Sequence, residues 1–201
     1  MKQKDKHNDR VTDEVLIARF QQGDVQAFEE LVRRYKDQLL NFVFRFVGNR
    51  VDAEDIVQET FFRVFKNKHY YKEIAKFSTW VYTIAGNLAK TELRRRKRRK
   101  FFSVSNSIND EKDFDLPSGD LSPDQQVDGN IKEKIIQEAI DRLPTKFREV
   151  ILLRDQQGFS YEEISQILRI PLGTVKSRVN RGRLKLQEEL KYLFESETSN
   201  G

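Results

Sequence analysis

The sequence predicts an all-α protein: two small helical domains joined by a flexible linker, the second containing a helix-turn-helix. Three observations predict it. Apolar residues recur at helical spacing in both halves of the chain. Glycine and proline are scarce, 9 and 4 in 201 residues, too few for a β-sandwich full of tight turns. Hydrophobic residues make up 37% and charged residues 34%. That is little core material for one large domain, and it suits two modules with a high surface-to-volume ratio.

Residues 1–11 are polar and are expected to fray. The N-terminal module is expected over 12–100. Asp24–Val47 reads as one long helix, with Phe28, Leu31, Val32, Tyr35, Leu39, Phe42, Val43 and Phe46 in a single apolar stripe. Gly48-Asn49 ends it. Asp52 is placed to cap the next helix, whose buried side is expected to hold Ala53, Val57, Phe61, Val64 and Phe65. Its other side carries Asp55, Gln58, Glu59 and Phe62. An acidic-polar stripe interrupted by a phenylalanine reads either as a solvated face with one stray ring or as a protein-docking face.

A third helix begins near Ser78-Thr79, with Val81, Ile84, Ala85 and Leu88 inward. Another face carries Trp80, Thr83, Asn87, Lys90, Thr91 and Arg94, and Tyr70, Tyr71 and Phe77 crowd just before it. Aromatics beside cations suit single-stranded nucleic acid, because bases stack on rings while cations follow the phosphates. The plainer reading puts rings such as Phe77 and Tyr71 in the core. Seven consecutive cations follow, Arg94–Lys100. Such a block repels itself unless an anion is present.

Charge is uneven along the chain. Residues 1–100 carry a net +9, 101–130 a net −6 and 131–201 a net +2, within a total of +5. The acidic block 101–130 contains Pro117 and Pro123 and no sustained helical period, and is expected to be a flexible linker. Fully extended, it reaches roughly 100 Å, so the modules could occupy well-separated sites.

The second module is expected over 131–194, with a frayed tail at 195–201. Ile131, Ile135, Ile136, Ala139, Ile140 and Leu143 share a face. Pro144 starts the next helix, with Phe147, Val150 and Ile151 inward, and Gln156-Gln157-Gly158 breaks it. Ser160-Tyr161-Glu162-Glu163 is a capping box opening a short helix with Ile164, Ile167 and Leu168 buried. Arg169–Gly173 makes a turn, and Thr174 is expected to cap a last helix with Val175, Val179, Gly182, Leu186 and Leu190 inside. Gly182 there permits close helix packing. This last helix carries Lys176, Arg178, Arg181, Arg183 and Lys185, with no acid before Glu188. Capped helix, tight turn and basic helix form a helix-turn-helix pattern. Lys176, Ser177, Asn180 and Arg181 form the outward stripe suited to base edges, with flanking arginines suited to phosphate.

Several function classes are excluded or disfavoured. There are no cysteines, and His7 and His69 are the only histidines. Disulfides and thiolate chemistry are therefore excluded, and no metal or cofactor is expected. No glycine-rich phosphate loop or paired-carboxylate cleft points to an enzyme. The longest apolar runs, such as Val150–Leu153, are far below the ~18 residues a membrane span needs, and the charged N-terminus is not expected to be a secretory signal. A cytoplasmic protein with no direct membrane insertion is expected.

Taken in order, the motifs resemble the extracytoplasmic-function (ECF) sigma factors of bacterial RNA polymerase. The matching segments are Gln22–Phe28, Ala53–Phe61, Phe77–Asn87, Leu143-Pro144, Arg148–Val150, Tyr161–Ile164 and Pro171–Arg178. The resemblance spans about 13–193 and implies sigma regions two and four with no domain between them. It implies that Asp55, Gln58, Glu59 and Phe62 bind the clamp helices of the largest polymerase subunit. Tyr71, Trp80, Thr83, Asn87, Lys90, Thr91 and Arg94 would open and read the minus-ten element. Thr174, Lys176, Ser177, Arg178, Asn180 and Arg181 would read the minus-thirty-five element. Implied partners are core polymerase, including the flap of its second-largest subunit, promoter DNA as duplex and melted strand, and an anti-sigma factor. The acidic linker would thread toward the RNA exit path.

One segment departs from the family. Where an aromatic-Arg-Gly-small pattern is usual, this chain reads Tyr71-Lys72-Glu73-Ile74-Ala75-Lys76, so the loop's shape and base preference do not carry over from relatives. Two other readings remain open. A stand-alone helix-turn-helix regulator would bind duplex tightly without polymerase. A basic RNA-binding protein would explain the rings and arginines but not the capped helix-turn-helix.

Overall fold

A computed structural model describes residues 11–106 and 127–198, with side chains over 11–99 and 132–193. It is all-helical among the described residues. The first module holds α1 (Asp13–Gln21), α2 (Val25–Val47), α3 (Arg50–Lys66), a 3₁₀ turn at Lys68–Tyr70 and α4 (Phe77–Asn106). The second holds α5 (Val127–Arg142), α6 (Thr145–Ile151), which runs into a π turn at Leu152–Gln156, α7 (Tyr161–Leu168) and α8 (Leu172–Thr198).

Local chemistry sets the helix ends. Asp24 accepts from the Ala27 amide at 3.2 Å and caps α2, and Gly48 ends that helix at φ +70°. The capping box of α7 is complete, with Ser160 Oγ accepting from the Glu163 amide and Glu163 accepting from the Ser160 amide. Two expected caps fall elsewhere. Asn49, not Asp52, caps α3 by accepting from the Asp52 amide at 3.0 Å. Thr174 lies inside the first turn of α8, because Pro171 O already accepts from the Thr174 and Val175 amides. Proline fixes φ for a helix start and lacks the donor that would be wasted there. At α6 the same residue type sits one place earlier than expected, with Pro144 preceding the first helical residue.

Periodicity does not predict α1. It is nine residues long and buries only Leu16, Ile17 and Phe20, too short a pattern to stand out. α4 continues through Asn106 and α5 begins at Val127, so the linker expected at 101–130 is helical at both ends. Its central part, 107–126, lies outside the described residues, as do 1–10 and 199–201. α8 runs to Thr198, past the expected boundary at 194.

The composition predicts a separate core for each module. Instead, one apolar cluster runs through both, joining Phe42, Phe46 and Tyr82 of the first to Phe159, Ile164 and Ile167 of the second. The Tyr82 and Phe159 rings meet edge to face with centroids 4.8 Å apart. A smaller cluster, Ile135, Ala139 and Leu193, holds α5 against α8. Ile136, expected inside, is 41% exposed. Phe65 is 47% exposed, although its edge still packs on Phe20 and Phe28. Gly182 faces α6 so closely that a Cβ there would lie 2.9 Å from Ile151 Cγ1.

The end of α2 ties the modules together. The last four carbonyls of a helix have no partner within it. Here Phe44 O accepts from the Gly48 amide, Arg45 O from Gln137 Nε2, Phe46 O from Arg148 Nη1 and Val47 O from Arg96 Nη1. Two of the four donors belong to the second module.

Candidate polymerase and nucleic-acid interfaces

On α3, one side is inside and the other is free. Ala53, Ile56, Val57, Thr60, Phe61 and Val64 are buried. Asp55 and Gln58 are exposed, Phe62 is 58% exposed, and Glu59 pairs with Arg63 at 2.7 Å. A phenylalanine left in water beside polar neighbours is unused apolar area, available to a partner.

The residues before α4 split between core and surface. Tyr71 is buried, and its hydroxyl donates to Ala75 O at 2.9 Å. Burial, with the Glu14 and Glu73 carboxylates nearby, pushes its phenol up to about 12. Its ring meets Phe77 edge to face and Trp80 at a tilt, in one aromatic group. Tyr71 therefore supports the site from beneath, which is the core alternative raised by the sequence. Tyr70 and Ile74, at 80% and 85% exposed, form the outward tip of this loop instead.

Along α4, the expected stripe meets two environments. Asn87, Thr91 and Arg94 are exposed, and the Thr91 hydroxyl donates back to Asn87 O at 2.9 Å. Trp80 is partly buried. Thr83 and Lys90 are partly covered by the second module. Thr83 Oγ1 lies 3.4 Å from Ile167 O on α7, and Lys90 Nζ lies 3.4 Å from Glu149 Oε2 on α6. In the basic run, Arg95, Arg96 and Arg99 surround Glu92, and Arg96 also pairs with Asp52. Arg94, Lys97 and Arg98 are exposed beside them.

On α8, Lys176, Ser177, Asn180 and Arg181 are all exposed, as the helical spacing predicts. Thr174 is half-buried, and its carbonyl accepts from Ser177 Oγ at 3.0 Å. Arg178 is half-buried and lies 3.6 Å from Glu149 Oε1. Arg183 grips Asp155 with two hydrogen bonds, one of them 3.1 Å.

Glu149 is a feature of the seam between the modules that the periodicity did not reveal. Its carboxylate is buried between Lys90 of one module and Arg178 of the other. Oε2 has no hydrogen-bond donor. Burial outweighs the two cations and raises its pKa. Lys76 and Glu163 form a second bridge between modules at 2.8 Å, and Arg45 and Glu133 a third at 2.6 Å. Only three-dimensional proximity of residues about 60 to 90 apart identifies these pairs.

The sigma-70 region 2 family matches residues 31–99, and the sigma-70 region 4 family matches residues 133–186. The chain is 36% identical over 179 residues to the ECF RNA polymerase sigma factor SigW of Bacillus subtilis, covering 88% of this chain and 96% of that one. It is 37% identical over 170 residues to the ECF RNA polymerase sigma factor SigE of Mycolicibacterium smegmatis, covering 84% of this chain and 63% of that protein's length. The sigma factor RpoE of Bartonella quintana, solved in complex with the anti-sigma factor NepR, superposes with a TM-score of 0.62 at 29% identity, over 82% of this chain and 96% of that one. The chain belongs to the ECF RNA polymerase sigma factors. It is a transcription initiation factor that directs polymerase to promoters, with the first module as region two and the second as region four. No helix among the described residues is long and apolar enough to cross a membrane.

Proposed function

We propose that region two docks on core polymerase through the outer face of α3, with Asp55, Gln58, Glu59 and Phe62 against the clamp helices of the largest subunit. Region four then meets the flap of the second-largest subunit. Trp80, Thr83, Asn87, Lys90, Thr91 and Arg94 capture and hold the melted minus-ten strand, with Tyr71 fixing the Trp80 ring from below. Thr174, Lys176, Ser177, Arg178, Asn180 and Arg181 meet the minus-thirty-five duplex. The factor acts without catalysis of its own, in the cytoplasm, and is held inactive by an anti-sigma factor. The resemblance to a sigma factor crystallised with such a partner supports that last assignment.

The observation that carries this reading is the exposed Phe62 ring on an otherwise polar stripe, opposite a fully buried face. Reconstituted transcription with bacterial core polymerase tests it. Asp55→Ala with Gln58→Ala is expected to weaken core binding while leaving helical content and thermal unfolding nearly unchanged. Asn87→Ala is expected to keep core binding and minus-thirty-five binding but reduce open-complex formation. The Asn87 defect should vanish on a pre-melted template lacking the captured base. Unaltered core affinity in the first variant, or an equal defect on the abasic template in the second, overturns the corresponding role.

A further inference from the structure

Among the described residues three ion pairs cross between the modules, and they share one polarity. Lys76 meets Glu163, Lys90 meets Glu149 and Arg45 meets Glu133, with the cation always from region two and the carboxylate always from region four. Lys90 lies on the α4 stripe assigned to nucleic acid, and Lys76 directly precedes α4. Glu149 also neutralises Arg178 on the recognition helix. One buried carboxylate therefore occupies a DNA-facing cation from each module. Thr83 is covered by the end of α7 at the same seam. These are the groups a phosphate backbone would engage, since phosphate contacts are made chiefly by lysine, arginine and small hydroxyls.

We propose that the acidic face of region four is a phosphate surrogate: in the free chain Glu163, Glu149 and Glu133 take the cations of region two, and closure and nucleic-acid binding exclude each other. The proposal rests on the assignment of the α4 stripe to the melted strand. The closed state is held but not locked. The shared core and the Arg148 and Gln137 bonds to the end of α2 favour it. Glu149 opposes it, because its charge is buried with ion-pair contacts of 3.4 and 3.6 Å and no hydrogen bond to Oε2. Buried ionic groups without tight hydrogen bonds recover little of their desolvation cost. A polyanion that takes Lys90 and Arg178 removes the compensation that keeps Glu149 inside, and the carboxylate then gains by moving into water.

The chain has no cysteine, so introduced thiols are unique. The full chain carrying Lys76→Cys and Glu163→Cys is joined across the seam by a short bismaleimide, or capped at both thiols with N-ethylmaleimide as the control. Both forms lose the same side chains and differ only in whether the modules can part. Binding of single-stranded oligothymidylate is read by fluorescence anisotropy. The linked form is expected to bind at least several-fold more weakly than the capped form. Equal binding by the two overturns the proposal. In a second arm, Lys76→Glu and Glu133→Lys, both at exposed positions, place like charges across two of the three pairs. This chain is labelled at Arg50→Cys and Lys185→Cys for energy transfer. It should be more open without oligonucleotide and should bind oligothymidylate more tightly than the same labelled chain without the charge reversals, although region two has lost a cation. A chain that opens but binds no tighter also overturns the proposal. Failure of the underlying α4 assignment is distinguishable, because Asn87→Ala and Arg94→Ala in the capped form would then leave oligonucleotide binding unchanged.

Discussion

Arg148 of region four donates from Nη1 to the carbonyl of Phe46, 2.7 Å away in the last turn of α2 in region two. The guanidinium is buried and also donates to the carbonyls of Asp141 and Leu143. A planar fork with several donors can serve three carbonyls at once, and a cation suits the negative end of a helix. Arg148→Ala leaves those carbonyls without their donor and is expected to cost about 2–4 kcal/mol of stability. Arg148→Lys should recover only part of it, because an ammonium cannot reproduce the fork. Denaturant unfolding monitored by circular dichroism checks both, and a loss within experimental error would show that water substitutes freely.

Gly182 and Gly86 should respond oppositely to alanine. A methyl at 182 would meet Ile151 Cγ1 at 2.9 Å and Cδ1 at 3.1 Å, and Cγ1 is not the free end of a flexible chain. A methyl at 86 would meet nothing within 4 Å. Overpacking costs about 1–3 kcal/mol, while replacing a helix-interior glycine by alanine gains up to about 1 kcal/mol. Gly182→Ala should therefore lower the unfolding temperature and Gly86→Ala raise it. Equal shifts of one sign would mean that helix propensity alone decides.

Acid should weaken the start of α7. The Lys76 ammonium and the Ser160 amide hold the Glu163 carboxyl below its ordinary value of 4.5. A carboxyl whose folded pKa is depressed contributes stability fully above the unfolded pKa and loses it as pH falls through the folded one. The contribution of Glu163 is thus intact at neutral pH and disappears below about 4.5. Glu163→Gln should lower the unfolding temperature at neutral pH and by less in acid. A difference that stays constant across that window would exclude the linkage.

Arg181 and Arg183 are two residues apart yet differently placed for DNA. Arg181 is exposed on the outward stripe, while Arg183 is held by Asp155. Arg181→Ala should cost about 1–3 kcal/mol at one base pair of the minus-thirty-five element. Arg183→Ala should weaken all sequences alike and shallow the salt dependence. Binding measured against single-base variants of the duplex separates them, and a uniform loss with Arg181→Ala would remove it from base readout.

The helices of both modules were legible where periodicity was long and caps were explicit. Asp24, Gly48 and Ser160 each mark a real helix end, and the outward stripe Lys176, Ser177, Asn180 and Arg181 is exposed as its spacing implies. What sequence could not provide was contact between distant segments. Asn49 and Asp52 are equally good caps on paper, and backbone geometry chose the first. Tyr71 is as polar and aromatic as Tyr70, yet its neighbours Phe77 and Trp80 draw one ring inward and leave the other 80% exposed. Glu149 sits in an apolar helix face and looks unremarkable until Lys90 and Arg178 close around it.

α4 is a single unbroken helix of 30 residues, about 45 Å at 1.5 Å per residue. It begins under the aromatic group and ends past the arginine run, so both belong to one rigid rod. Trp80 and Arg94 are separated along its axis by about 21 Å. A loop in this position would let the ring and the cations drift relative to each other. The helix makes the sequence itself a ruler: inserting or deleting residues between Asn87 and Arg94 would change not only the distance but also, through about 100° of rotation per residue, the side of the rod from which the cations reach.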